Sequence, residues 1–132
     1  MPDPRPVLHI CTTCRAGETS VEGAPVPGRR LFDRVAALLA DDNAPVSLRS
    51  VVCLGNCEQG CSAAVEQAGK WTYLLGHLDP ALAPDLLAYA ALYAAHRTGT
   101  VLPSRRPASL ARMVLGRMPD LSPQAAAQEI AA

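Results

Sequence analysis

All five cysteines of this 132-residue chain fall in two short stretches, Cys11-Thr-Thr-Cys14 and Cys53-Leu-Gly-Asn-Cys57-Glu-Gln-Gly-Cys61. Each stretch comes after an apolar run of strand character. Pro6 to Ile10 (Pro-Val-Leu-His-Ile) reads as a short buried strand leading into Cys11, and Val46, Leu48 and Val52 keep a rough period of two that ends at Cys53. Between them Leu31, Val35, Leu38 and Leu39 share one helical face, which predicts a helix from about Gly28 to Asp41, stopped by Asp42-Asn43-Ala44-Pro45. Strand, helix and strand in that order imply two parallel neighbours about 4.8 Å apart, so both groups of thiols converge on one edge of a sheet.

The rest of the chain extends that plan. Ala63 to Gln67 and Trp71 to Leu75 flank the turn Ala68-Gly69-Lys70 as a hairpin. Asp79 and Pro80, with Pro84 and Asp85, then supply cap and first-turn chemistry for a helix to about Arg97, with Gly99 as its stop and Leu82, Leu86, Ala90 and Tyr93 as its core stripe. The expected fold is α/β, a thioredoxin-like βαβ-ββα core with a three-layer mixed sheet. Residues 1–100 form the cluster-binding domain in this reading, and 101–132 an irregular or helical C-terminal extension. Within that extension a short amphipathic helix is expected from Ser109 to Met118, and an Ala-rich tail after it. The stretch from Arg15 to Pro27 has no apolar period and is expected as a loop that covers the site.

Composition narrows the function. Apolar residues make up 49% and charged residues 18%, a globular balance rather than a disordered one. Twelve basic and twelve acidic side chains cancel, so no global field draws the chain to nucleic acid or to an anionic membrane. The N-terminus lacks the apolar core of a secretory signal and no apolar run is long enough to span a bilayer, so a cytoplasmic location is expected. In a reducing compartment, and with an odd number of thiols, a full set of structural disulfides is excluded.

Thiolate chemistry or metal ligation remains. Thiolate-rich sites suit iron–sulfur clusters or zinc, not calcium or magnesium. Cys11, Cys14, Cys53, Cys57 and Cys61 are the candidate ligands, and Gly55 and Gly60 allow turns in which backbone N–H groups point at sulfur. Zinc stays open, because Cys11/Cys14 and Cys53/Cys57 also fit two zinc knuckles. Dithiol exchange is the third reading. Against it stands the sequence after Cys14, Arg-Ala-Gly-Glu-Thr-Ser, which begins no helix whose N-terminus could activate the thiol.

Cys11, Cys53-Leu-Gly-Asn-Cys57 and Gly69-Lys-Trp-Thr-Tyr73 resemble thioredoxin-like 2Fe-2S ferredoxins over about residues 6–98. The Cys-x-x-Cys and Cys-x3-Cys-x3-Cys pattern with Gly-Lys-Trp-Thr-Tyr is similar to a bacterial family of predicted metal-binding proteins of unknown function, found among cobalamin-biosynthesis genes. The resemblance implies a 2Fe-2S cluster held by Cys11, Cys53, Cys57 and either Cys14 or Cys61. It departs from the ferredoxin pattern in having no Cys between Glu18 and Pro25. What it implies further is a role in electron transfer or metal and cluster handling, a redox or metal-pathway protein as partner, and a homodimer as one assembly state.

His9, His77 and His96 are candidate ligands with simpler structural roles: a strand position, a turn before the last helix, and that helix's last turn. Trp71 and Tyr73 read as core, and Arg105, Arg106, Arg112 and Arg117 as a solvated face or a dock for an acidic partner. No phosphate loop, dinucleotide fingerprint, His-Glu-x-x-His or nucleophile elbow is present, so the expected protein is a carrier or metal binder, not an enzyme.

Overall fold

In a computed structural model, which describes residues 5–15, 23–40, 44–55 and 60–120, alternation in the first apolar run produces strand β1, Val7–Cys11. Leu8 and Ile10 are fully buried, and Val7 and His9 between them are half-buried. Helix α1, Pro27–Leu38, opens on a proline, whose missing N–H costs nothing in the first turn. Leu31 and Val35 face the core. Leu38, expected on that stripe, is half exposed, because the next core-facing place after Val35 falls to Leu39. The expected stop at Asp42-Asn43 lies outside the described residues.

Strand β2, Ser47–Val51, lies parallel to β1, with Cys11 opposite Val51. The hairpin strands are β3, Cys61–Glu66, and β4, Thr72–Leu78; β3 runs antiparallel to both β1 and β4. Asp79 Oδ1 accepts a 2.7 Å hydrogen bond from the N–H of Ala81 and caps a 3₁₀ turn, Pro80–Leu82, that feeds helix α2, Ala83–Ala95. The two helices pack against each other, and α1 also lies against β1 and β3.

The segment from Ser109 to Met118 is not a helix. It forms a 3₁₀ turn at Ala108–Leu110 and then strand β5, Val114–Met118, antiparallel to β4 with Tyr73 opposite Arg117. The helical spacing of Leu110, Met113 and Val114 is met instead by one buried anchor, Leu110, and by Met113 and Val114, packed on the core at the entry to a bulged edge strand. The resulting mixed sheet has the order β2-β1-β3-β4-β5. The Ala-rich tail lies outside the described residues.

At the centre of the core, Tyr73 meets Tyr89 and Tyr93 edge to face, with ring centroids 6.4 and 6.2 Å apart. The Tyr93 hydroxyl donates to the Trp71 carbonyl at 2.6 Å, while the buried Tyr89 hydroxyl has no hydrogen-bond partner among the described residues. Lys70 Nζ donates to the carbonyls of Tyr93 and Ala94 at 3.3 and 2.9 Å, placing a cation on the last turn of α2.

Candidate metal centre

The strand directions bring the cysteine-bearing segments to one end of the sheet. β1 ends at Cys11, β2 ends two residues before Cys53, and β3, running the other way, starts at Cys61. Two threonines stitch the loops after β1 and β2 together. Thr12 donates to the Val51 carbonyl from its N–H at 2.9 Å and from its hydroxyl at 3.3 Å, and the Thr13 hydroxyl donates to the Val52 carbonyl. Cys11 Sγ sits in that seam, 3.5 Å from the Val52 oxygen and 3.6 Å from Thr13 Oγ1. The next residue after Val52 is Cys53, whose exposed Sγ accepts a 3.2 Å hydrogen bond from the N–H of Gly55.

Cys14 and Cys61 lie on the inner side of this end. Both are buried, as is Cys11, and Cys14 Sγ donates to the Gly60 carbonyl at 2.7 Å. Burial pushes the Cys61 thiol up to about 12, reinforced by the negative charge that Cys14, Asp79 and Cys11 bring near it and opposed by Arg30. Cys61 is therefore a protonated thiol at neutral pH in the metal-free chain. A bound metal, which exchanges a proton for a bond, would make a thiolate of such a group.

Two glycines allow this packing. A Cβ on Gly28 would overlap the Cys11 carbonyl oxygen and stand 3.1 Å from the Cys14 nitrogen, so the N-terminus of α1 reaches the first cysteine loop only without a side chain. Gly60, at φ +75°, presses on His77, where a Cβ would come 2.8 Å from the Cα. His77 itself has φ 57° and is exposed within β4 rather than lying in a turn after it.

The first turn of α1 also changes the surroundings expected for Cys14. No helix comes directly after Cys14 in the chain, yet the N–H of Gly28 donates to the Cys14 carbonyl at 2.9 Å, so a helix N-terminus stands beside it in space. The signal lies in the sequence as Pro27-Gly28, a helix start with the least bulky residue just inside it.

The donor chemistry of this end suits a thiophilic metal or an iron–sulfur cluster: thiols from adjacent loops, a backbone N–H on the Cys53 sulfur, and a buried thiol that metal would deprotonate. Among the described residues, no three of His, Cys, Asp and Glu stand close enough together to hold one metal ion. Cys57 lies outside the described residues, as do positions 16–22 of the loop expected to cover the site. Two of the histidines have neighbours of their own. His9 Nε2 is 3.4 Å from Glu66 Oε2 without hydrogen-bond alignment, and His96 Nδ1 accepts from the Thr98 N–H at 3.1 Å.

The fold has a solved counterpart in the thioredoxin-like 2Fe-2S ferredoxin from Aquifex aeolicus, which superposes with a TM-score of 0.53 over 91% of this chain and 99% of that chain at 14% sequence identity. That likeness confirms the thioredoxin-like architecture. No curated protein matches the chain. No helix among the described residues is long and apolar enough to cross a membrane. The model of a protein family of unknown function, DUF1636, matches residues 8–120, which takes in both cysteine stretches and all five strands from Leu8 onward, and the chain belongs to that family.

Proposed function

We propose that this protein holds a 2Fe-2S cluster on cysteine thiolates and acts as an electron carrier or cluster-handling protein, not as an independent enzyme. The observation that carries the reading is the seam between the loops after β1 and β2, where Thr12 and Thr13 fix Cys11 beside Val52-Cys53 and the Gly55 N–H is already aimed at sulfur. Cys11, Cys53 and Cys57 would be three of the ligands, and Cys14 or Cys61 the fourth. When bound, such a cluster supplies reversible one-electron exchange at a potential set by burial and by N–H···S bonds. This chain's own contribution is the seam, the Gly55 donor and the buried inner side on which Cys14 and Cys61 stand. The Aquifex ferredoxin's cofactor, on the same fold, supports the assignment. The partner would be a redox or metal-pathway protein in the cytoplasm, and resemblance alone suggests cobalamin biosynthesis.

Two other readings have a footing. Four thiolates are also the structural set for zinc, and the α1 N-terminus at Cys14 is the setting of a reactive thiol. Purification under anaerobic conditions separates all three. A brown protein with iron and acid-labile sulfide, bleached by dithionite, supports the cluster. Colourless protein with stoichiometric zinc, or metal-free protein with one rapidly alkylated thiol, replaces it with the second or third reading.

A further inference from the structure

Far from the cysteines, at the other side of the sheet, β5 is an edge with no strand on its outer side among the described residues. A groove of about 310 Å³ runs along it, lined by residues 114–117 and, across from them, by Leu102 and Arg106. Tyr73 of β4 closes its inner end, and because successive strand residues point to opposite faces, four in a row bring main-chain atoms of β5 into the wall. The open edge therefore presents main-chain donors and acceptors as well as side chains.

Two further properties mark this edge. Large apolar side chains that stand exposed gather here: Leu102 is 56% exposed, Leu115 39% and Met118 49%. Soluble proteins commonly protect such an edge with charge, and here the charge is of one sign. Arg106 spends Nε and one terminal nitrogen on the carbonyls of Val101 and Ala111, both at 3.0 Å, which leaves its other terminal nitrogen to the groove. The Arg117 guanidinium stands over the Trp71 ring, 4.1 Å from its centroid, and the residue lines the groove. Arg105 lines an adjoining cavity that shares Leu102 with the groove; its N–H donates to the Leu102 carbonyl at 2.8 Å, and its exposed guanidinium has no ion pair among the described residues. The carboxylate of Asp85 faces Ser109 Oγ at 2.6 Å, and that of Asp120 faces the Gly69 N–H at 2.6 Å.

We infer that the β5 edge is a docking site for an extended segment of a partner protein in which acidic and apolar residues alternate. Such a segment adds a sixth strand through main-chain hydrogen bonds, lays its apolar side chains on Leu102 and Leu115, and pairs its carboxylates with Arg105, Arg106 and Arg117. Charge complementarity selects this occupant: a lipid surface would leave the strand edge unsatisfied, and a basic segment would meet three arginines.

Trp71 is the only tryptophan in the chain and carries the Arg117 guanidinium on its face, so its emission reports on the groove. The test titrates the full-length protein with a blocked eight-residue peptide of alternating Glu and Val, and with the same peptide carrying Lys for Glu. Trp71 emission and the anisotropy of a labelled peptide are measured at low and moderate salt. Saturable binding of the Glu peptide alone is expected, weakened by salt and weakened roughly two- to fivefold by Arg117→Gln and by Arg105→Gln, the range for exposed charge pairs. The Arg105 side chain is exposed and makes no ion pair among the described residues, so its variant keeps the test sharp if Arg117→Gln disturbs the fold. Failure of the Glu peptide to bind, equal binding of the Lys peptide, or indifference to both variants overturns the proposal. So does a homodimer broken by Leu115→Lys, which would make a second copy of this chain the occupant. None of these readouts depends on a cluster.

Discussion

The thiol of Cys14 and the carbonyl of Gly60 are 2.7 Å apart, although 46 positions separate them along the chain. This bond ties the first cysteine loop to the residue before Cys61. On the proposed reading Cys14 and Cys61 are alternatives for one ligand position, so that removal of one would leave the other, whereas Cys53 and Cys57 would have no such substitute.

For the bound cluster, Cys53→Ala and Cys57→Ala are accordingly expected to abolish iron binding, whereas one of Cys14→Ala and Cys61→Ala retains it. Iron and sulfide per chain, with the visible spectrum, check this. Retention of the cluster in the Cys57 variant would overturn the ligand assignment.

Gly28→Ala drives a methyl group into the Cys11 carbonyl, and both sides of that contact are backbone that cannot swing away. A loss of roughly 1 to 3 kcal/mol is expected from such overpacking, together with weaker metal loading. The control is Gly116→Ala, where a Cβ meets nothing within 4 Å and stability should stay within about 0.5 kcal/mol of the parent. Urea unfolding of the two metal-free variants gives the comparison.

Two of the three core tyrosine hydroxyls differ in what they hold. Tyr93→Phe gives up the 2.6 Å bond to the Trp71 carbonyl and should cost about 1 kcal/mol. Tyr89→Phe removes a buried hydroxyl with no hydrogen-bond partner among the described residues, and should be neutral or stabilising. Equal destabilisation in chemical denaturation would show that the Tyr89 hydroxyl has a role outside these contacts.

Alkaline pH should unfold the metal-free chain. Burial raises the Cys61 thiol from 9.0 to about 12 and lifts the phenols of Tyr89 and Tyr93 well above their ordinary value. A group whose pKa is higher in the folded state stabilises the fold fully below its unfolded pKa and loses that contribution as pH rises toward the folded value. Stability should thus be flat up to about pH 9 and then fall, with each such group adding up to about 1.4 kcal/mol per pH unit within its own window. Unfolding free energies between pH 8 and pH 11, with Cys61→Ala as the comparison, test the sign and the share of this thiol.

Much of this architecture is legible in the chain because local and global signals agree. Leu8 and Ile10 alternate as a strand should, Leu31 and Val35 repeat as a helix should, and Asp79-Pro80 opens the last helical segment with a cap. The order of strand and helix then brings Cys11 and Cys53 to one end of the sheet. From Ser109 to Met118 the apolar period points to a helix and misleads, because Gly116 costs about 1 kcal/mol inside a helix but is tolerated in an edge strand. What no local pattern carries is the return of α1 to Cys14, since the stretch from Arg15 to Val26 has no apolar period that would announce it. The seam bonds of Thr12 and Thr13 are equally hidden, because their acceptors are main-chain carbonyls at the end of a strand far along the chain.

Those two threonine bonds draw on hydroxyls and carbonyls alone. Where many small metalloproteins collapse once their ion leaves, a scaffold sewn shut by its own polar groups is expected to stay folded without one, so that, on the proposed reading, inorganic cargo would be loaded, stripped and loaded again without refolding.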